Sequence, residues 1–421
     1  MSHLNIKTLL NSKLKFKGFV FRHSRLTQQD NIQRLEINLE ARKGSKGNCS
    51  KCNGEGPTYD HLSLREFIHV PIWGITVVFL YCMRRIDCKT CQAVKVESVP
   101  WSDGKSPLTT SMMWHLSEWA KLLSWDTVAK KMKTSWHHVH TSVAFVVQWG
   151  RERMDLSGIT AIGIDEVFWG KGKCATVVYQ INNFKKRLLW ISESRTKQSI
   201  NNFFNWFGAG RSDKIEFVCT DMWKNFLNVV KERIPNALNI LDRFHIVKKI
   251  NEAIDKVRND ETKALKKKGK DVQLKNSRWA LLKRVENLTE KQSSKLKELL
   301  SCNLRTIKAY LLKEEFDYFW EYNSPTWAKK FLKIWTTKVM RSRIQPMKAV
   351  AKTIRNHEDL ILNWFEAKGA LHMGAVEGLN NKLKSSIRSS YGIKTFKVLE
   401  VMLYHRLGAL PVSVEAHRFF N

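Results

Sequence analysis

Between residues 160 and 242 the chain alternates apolar and amphipathic segments in an order that few folds accommodate. Strand-like segments cover 160–164, 175–181, 187–192, 215–219 and 237–241, and helical segments cover 196–207 and 223–234. The order is therefore three strands, a helix, a strand, a helix and a strand. Three consecutive strands followed by alternating helices and strands predict a mixed sheet with an antiparallel side, covered by helices.

The sequence that follows this sheet is predicted to form only helices. A helix begins near Phe244, and residues 246–365 contain no convincing strand. The preceding order is that of a ribonuclease H-like core. We therefore interpret 156–245 as the first part of the core, 246–365 as an all-helical insertion and 366–421 as the second part. The predicted fold class is α/β plus all-α, a ribonuclease H-like mixed sheet with a helical insertion.

Four of the eight cysteines form two Cys-x-x-Cys pairs, Cys49 with Cys52 and Cys88 with Cys91. Two such knuckles can complete a tetrahedral thiolate site for Zn²⁺. Strand-like segments at 64–70 and 75–81 could form a hairpin that brings the knuckles together. Residues 1–100 are therefore predicted to form a structural zinc module. Redox thiols and unligated core cysteines are the alternatives.

Residues 101–155 predict a helix-turn-helix. Apolar residues recur at helical spacing from 109 to 123, and Ser124 or Asp126 can cap a second helix at 127–132. After a short turn, residues 136–149 are again helical. The second helix of such a pair can enter a DNA major groove. Its first residues, Trp136, His137 and His138, are the candidate DNA contacts, and an ordinary helical hairpin is the alternative.

The charge of the chain predicts a polyanionic partner. The 72 Lys and Arg residues exceed the 39 Asp and Glu residues by 33. Neutralising phosphates releases counterions and so provides binding that does not depend on sequence. Double-stranded DNA is the expected partner, and a membrane is not expected because no apolar run approaches the roughly 20 residues of a span. With no apolar signal core at the N-terminus, we expect a cytoplasmic protein.

Residues 373–388 predict a helix with an unusual polar face. Glu377, Asn380, Asn381, Lys384 and Arg388 share that face at spacings of three and four residues. A face of this composition can hold a metal ion at its acidic end and a phosphate backbone along the rest. Lys382 is added to Asn380, Lys384 and Arg388 as a candidate DNA contact. A solvated amphipathic helix is the alternative.

Three acidic residues complete the candidate site. Asp165 and Asp221 are each predicted to end a strand, and Glu377 lies on the later helix. The first and fourth strands of a ribonuclease H-like sheet are neighbours, so their terminal carboxylates converge. Carboxylates are preferred ligands of Mg²⁺, and phosphodiester chemistry often uses two such ions. We interpret Glu166 as a residue that is structural or that supports the site without binding the metal, and Glu366 as a weaker rival of Glu377.

The motifs around these acids resemble those of the DDE transposases of bacterial insertion sequences in the ISL3 family. The matching segments are GIDE at 163–166, TDMW at 220–223, EGLNNK at 377–382 and SYG at 390–392. The resemblance extends over nearly the whole chain. It implies that Asp165, Asp221 and Glu377 form a catalytic triad. It also indicates DRFH at 242–245, an Asp-x-x-His motif that makes Asp242 and His245 secondary candidates.

The resemblance implies a DNA transposase that binds terminal inverted repeats and catalyses strand cleavage and strand transfer with Mg²⁺ or Mn²⁺. A homo-oligomer is implied because two transposon ends must be paired. A bacterial protein that associates with the nucleoid when bound to DNA is expected. A ribonuclease H-like nuclease or resolvase, and a non-catalytic DNA-binding regulator derived from a transposase, are the alternatives.

Overall fold

The computed structural model describes residues 6–29, 32–269, 273–368, 374–390 and 392–413. The chain divides into two compact units, Met1–Met154 with Lys397–Asn421 and Asp155–Phe396. The division into five segments made from the sequence is finer and stays a prediction.

The first unit begins with a short helix, α1 (Ile6–Lys13), and a sheet of seven strands in the order β1-β2-β6-β7-β3-β4, with β5 paired to β6. The strands are β1 (Phe19–Gln29), β2 (Ile32–Ala41), β3 (Gly47–Cys49), β4 (Glu55–Gly56), β5 (Thr58–Ile72), β6 (Ile75–Cys88) and β7 (Ala93–Ser98). The predicted hairpin is present and is longer than expected, since β5 pairs with β6 from Thr58 opposite Ile86 to Ile72 opposite Ile75. It therefore extends from its turn to the cysteine pairs.

Aromatic packing and a buried ion pair stabilise this sheet. Trp101 is 2% exposed and makes edge-to-face contacts with Phe19 and Tyr81. Glu97 is almost completely buried and binds the Arg84 guanidinium at 2.7 Å. The hydroxyl of Tyr81 donates a hydrogen bond to the same carboxylate. The buried charge is thus both paired and hydrogen-bonded, as burial of a charge requires.

Three helices follow the sheet: α2 (Thr110–Leu122), α3 (Trp125–Lys131) and α4 (Trp136–Glu152). Of the two predicted caps, Ser124 caps α3, because its hydroxyl accepts a hydrogen bond from the Thr127 amide. Ser135 caps α4 in the same way through the His138 amide. Serine at these positions satisfies backbone donors that a helix start leaves open, which explains why the chain breaks between the helices.

The second unit contains a five-stranded mixed sheet in the order β10-β9-β8-β11-β12. Its elements are β8 (Ala161–Gly170), β9 (Lys173–Asn182), β10 (Lys185–Glu193), α5 (Lys197–Phe207), α6 (Ala209–Ser212), β11 (Phe217–Thr220), α7 (Lys224–Arg233) and β12 (Leu238–Leu241). The strands β8, β9 and β10 are antiparallel, whereas β11 runs parallel to β8 and β12 parallel to β11. The mixed sheet with an antiparallel side is as predicted.

The prediction that the first strand ends at Asp165 is wrong. β8 continues to Gly170, because residues 166–170 pair with the start of β9 in a hairpin that turns at Gly172. Only the pairing of β8 with β11 stops at Ile164. Asp165 is therefore the first residue beyond the parallel part of the sheet.

Helices occupy the rest of the second unit, and no strand occurs in its described part after residue 241. They are α8 (Arg243–Lys267), α9 (Arg278–Leu282), α10 (Glu290–Leu300), α11 (Arg305–Asp317), α12 (Pro325–Arg341), α13 (Gln345–Asn356), α14 (Glu358–Glu366) and α15 (Ala375–Arg388). Trp335 is completely buried among them and donates its indole N–H to the Leu312 carbonyl at 2.8 Å. The last described helix, α16 (Phe396–Leu407), belongs from Lys397 onward to the first unit.

Candidate active site and metal-binding cysteines

Asp165 and Asp221 lie at the same edge of the second sheet. The last parallel pair of β8 and β11 joins Ile164 to Thr220, so each aspartate is the next residue beyond that pair. Asp165 is 6% exposed and Asp221 is 8% exposed. Carboxylates that follow neighbouring parallel strands must come close together, and burial leaves them little water for screening.

Asp165 is held in place by a chain of buried hydrogen bonds. The Asn380 side-chain amide donates to its Oδ2, and the Glu166 backbone amide donates to its Oδ1 at 2.7 Å. Asn380 in turn accepts a hydrogen bond of 2.9 Å from the Tyr179 hydroxyl. Burial raises the pKa of Asp165, and the charge of Asp221 raises it further, while the charge of His245 and these hydrogen bonds lower it.

Asn380 differs from its predicted role. It shares the helical spacing of the exposed face of α15, but it is 6% exposed and bound to Asp165. The reason is that α15 lies directly on the sheet at this point, so the polar face of the helix meets a carboxylate. Its contact is therefore with the acidic site, whereas Lys382, Lys384 and Arg388 are exposed.

A glycine allows the helix that carries Glu377 to approach the sheet. A Cβ on Gly163 would lie 2.5 Å from Cγ2 of Val376, the residue before Glu377. Gly163 lies two residues before Asp165 in β8. The contact fixes the first turn of α15 against the strand, with Glu377 exposed in that turn. Glu377 forms no hydrogen bond or ion pair with any residue that the structure describes.

Asp242 and His245 extend the acidic cluster. Asp242 caps α8 by accepting a hydrogen bond from the Phe244 amide, and its Oδ2 lies 3.7 Å from Nδ1 of His245. Burial raises the pKa of Asp242, and the charges of Glu377 and Asp221 raise it further. The motif at 242–245 thus places Asp242 and His245 beside the site. Two of the three predicted catalytic acids, Glu377 and Asp221, affect the pKa of Asp242.

Sequence reasoning missed Arg195, which joins two of the acids. Its guanidinium lies 2.7 Å from the Glu166 carboxylate and 3.2 Å from Oδ2 of Asp221, and it stacks over the Trp223 ring at 4.3 Å. Burial raises the pKa of Glu166, and the Arg195 charge opposes that shift. An arginine just after a strand carries no distinctive pattern in so basic a chain. Only the folded arrangement identifies it.

These residues open into a cavity of about 290 Å³. Asp221, Arg195, Glu166 and His245 line it together with Lys248 and Lys249 of α8. The cavity thus combines carboxylates with cations. Carboxylates of this kind can bind a divalent cation, and lysines can bind a phosphate.

The predicted triad fits divalent-ion binding by its chemistry. Among the described residues, the three acids do not form a compact metal-binding cluster like that of the four cysteines. Two-ion sites place their ions about 3.5–4 Å apart and so need a wider set of ligands. Burial raises the pKa values of Asp165 and Asp242, and repulsion from neighbouring carboxylates raises them further. A bound cation would offset this repulsion. Hard carboxylate donors suit Mg²⁺ or Mn²⁺.

In the first unit, the four paired cysteines could hold a metal ion. Their sulfurs all lie within 4.8 Å of one another, with 3.9 Å between Cys49 and Cys91 and 3.4 Å between Cys52 and Cys88. A tetrahedral site with Zn–S bonds of about 2.3 Å separates its sulfurs by roughly 3.8 Å. Backbone hydrogen bonds from Cys52 and Lys51 lower the pKa of Cys49 to about 6, which favours the thiolate that binds metal.

The residues predicted to read DNA lie at the start of α4. Trp136 is 44% exposed and stacks on His140 with a centroid distance of 5.2 Å. His137 is exposed, and His138 is half-buried with its Nδ1 2.9 Å from the Thr134 hydroxyl. The side chains of Trp136 and His137 are thus exposed to solvent. Tyr391 of the predicted SYG segment lies outside the described residues.

Comparison with known proteins assigns the chain to a family. Residues 162–403, more than half of the chain, match the ISL3 family model of DDE transposases, whose description is "Transposase". The matched range contains both aspartates, Asn380, Glu377 and the helical region between them. The chain therefore belongs to the ISL3 transposase family, and its function is that of a DNA transposase.

Curated relatives match along most of their length. The transposase for insertion sequence element IS1001 of Bordetella parapertussis is 27% identical over 349 residues, which are 82% of this chain and 85% of that protein. The transposase for insertion sequence element IS1557 of Mycobacterium tuberculosis is 28% identical over 377 residues, 83% of each chain. Within the described residues, no helix is both long and apolar enough to cross a membrane.

Proposed function

We propose that this transposase binds the terminal inverted repeats of an insertion sequence and cleaves and joins DNA strands at the Asp165, Asp221 and Glu377 site. The observation that carries the proposal is the convergence of Asp165 and Asp221 at one sheet edge, with the Glu377 helix fixed beside them through Gly163. The order of the five strands supports a ribonuclease H-like core.

Each residue has a role that follows from its contacts. Asp165, Asp221 and Glu377 would hold Mg²⁺ or Mn²⁺, which when bound would activate the attacking oxygen and stabilise the leaving oxygen. Asn380 holds the Asp165 carboxylate in one orientation, and Arg195 holds Asp221. Lys248 and Lys249 attract the phosphodiester towards the acids. His245 can donate a hydrogen bond to a phosphate oxygen.

The first unit would recognise the transposon ends. We propose that Zn²⁺ on Cys49, Cys52, Cys88 and Cys91 makes the module rigid, and that α3 and α4 form a helix-turn-helix. Trp136, His137 and His138 at the start of α4 would contact bases, since the first residues of a recognition helix enter the groove. Lys382, Lys384 and Arg388 would contact phosphates. A homo-oligomer associated with the cytoplasmic nucleoid would pair two ends.

The experiment uses duplexes that carry the inverted repeats flanking the gene. The protein is expected to cut one strand at the element end and to join the released 3′-hydroxyl to target DNA in Mg²⁺ or Mn²⁺. Ca²⁺ is expected to support binding but little cutting, because it is larger and looser in its coordination. Binding without cutting in any divalent ion would mean that the protein acts as a regulator.

A further inference from the structure

A second cavity, of about 410 Å³, lies between α8 and α9 in the helical region. Phe244, Lys248, Asn251 and Glu252 of α8 line it together with Arg278 and Trp279 of α9. Its volume falls in the range of about 300–1,000 Å³ that is common for small-molecule sites. None of its aromatic or amide residues takes part in the proposed cutting of DNA.

The lining of this cavity is unusual for a protein surface. Phe244 is 46% exposed and Trp279 is 54% exposed, so two large aromatic faces are open to solvent. The Arg278 guanidinium lies 5.1 Å from the centre of the Trp279 ring, and Lys248 is exposed at the rim. Aromatic faces beside cations are typical of surfaces that stack nucleobases and follow a phosphate backbone.

The cavity adjoins the candidate active site. Lys248 and Glu252 line both cavities, so the two share one side of α8. Phe244, in the second cavity, directly precedes His245, in the first. A strand whose phosphate lies among the carboxylates would therefore bring a neighbouring nucleotide to the aromatic cavity. A base inside a duplex has both faces covered, so only an unpaired base could enter.

We infer that the cavity between α8 and α9 binds an unpaired nucleobase of the DNA strand that is being cut. This inference rests on the proposed function. Stacking on Trp279 and Phe244 would hold the base. The captured nucleotide would keep the adjacent phosphate among the acids while it is cut.

Kinetics with Trp279→Ala test the inference. On paired duplexes of the element end, cleavage by this variant is expected to be about fivefold to a hundredfold slower, the factor that loss of one stacked base implies. Trp279→Phe is expected to keep most of the rate. The matched control is Trp327→Ala on α12, because Trp327 is similarly exposed and also lies beneath a cation, Lys330, but lines neither cavity.

An abasic nucleotide identifies the captured position. When the base that enters the cavity is missing, the wild type and Trp279→Ala are expected to cut at equal rates, while abasic sites elsewhere leave the difference intact. Equal cutting of paired duplexes by both proteins would overturn the inference and leave the proposed function standing. A variant that changes oligomeric state and not cutting would show that the cavity holds a side chain of a second copy.

Crosslinking tests the inference even if the protein never cuts. Duplexes carrying 5-iodouracil at successive positions near the end are bound in Ca²⁺ and irradiated. At one position the crosslinked peptide is expected to contain Trp279 or Phe244, and the crosslink to Trp279 should vanish in Trp279→Ala. Crosslinks that avoid α8 and α9 at every position would contradict the inference, whereas absence of cutting alone would contradict only the proposed function.

Discussion

Single residues set the electrostatics of the candidate site. Asp165 is a buried carboxylate whose pKa is raised by burial and lowered by donors, of which the Asn380 amide is one. The sequence predicted Asp165 and Asp221 because each follows an apolar strand. It did not predict the contact from Asn380 to Asp165, because helical spacing placed Asn380 on the exposed face with Glu377. The contact depends on how closely α15 lies on β8.

Replacing Asn380 with Ala should move the pH dependence of cleavage. Removing a donor to the Asp165 carboxylate raises its pKa further, so a higher pH is needed to ionise it. The acid limb of the rate profile should therefore shift upwards, and stability should fall by about 1–3 kcal/mol, because a buried acceptor loses its partner. Asn381→Ala, at an exposed neighbouring position, is the control. Superimposable profiles for wild type and Asn380→Ala would refute this role.

Elements were easier to predict where apolar residues are dense. The order of strands and helices from 160 to 242 follows from apolar runs, and Thr196 caps α5 at the predicted boundary. The end of β8 was predicted wrongly because residues 166–170 are fixed by pairing with β9 and not by their own pattern. β2 was not predicted although Leu35, Ile37 and Leu39 alternate. Polar residues dominate the later part of β1, which gives no such pattern.

The packing of α15 on β8 can be tested by adding one methyl group. Gly163→Ala would place a Cβ 2.5 Å from Val376 Cγ2, so either the helix or the strand must move. Stability should fall by about 1–3 kcal/mol, the usual cost of overpacking, and cleavage should slow because Glu377 moves with the helix. Denaturant unfolding and cleavage rates measure the two effects.

A second change should restore this packing. Val376→Ala removes the clashing methyl, so the double variant with Gly163→Ala should be more stable than Gly163→Ala alone. Gly378→Ala, where nothing lies within 4 Å of the added Cβ, is the stability control and should not destabilise the helix. Additive effects of the two changes would show that Gly163 and Val376 do not limit the approach of α15.

The cysteine cluster should control the folding of its surroundings. We expect one tightly bound zinc ion per chain in protein purified without chelator. Cys88→Ser should lose the ion and loosen the hairpin that ends at the cluster, because structural zinc supplies much of a small module's folding energy. Cys82→Ser on the same strand, outside the cluster, should keep the ion. Elemental analysis gives the outcome, and a wild-type protein without zinc would contradict it.

For the whole molecule, the net charge and the family membership both indicate a protein that acts on DNA. An excess of 33 positive charges suits a protein that binds DNA, and residues 162–403 match a transposase family. Composition indicated the class of partner, and the ordered acids indicated the chemistry. Neither could indicate Arg195 or the cavity beside α9, because both arise from residues far apart in sequence that meet only after folding.

We propose that Asp165, Asp221 and Glu377 form one active site for both cutting and joining. Glu377→Gln and Glu366→Gln are compared on an end duplex in Mg²⁺, with binding measured in Ca²⁺. Glu377→Gln removes one negative charge with little change of shape and should abolish cleavage and strand transfer together. Binding should survive, because Trp136, His137 and His138, which are proposed to read the bases, belong to the other unit. Asp165→Asn and Asp221→Asn should behave alike, and Glu366→Gln should stay active. Cutting by Glu377→Gln together with loss of cutting in Glu366→Gln would show that Glu366, and not Glu377, is the third catalytic acid.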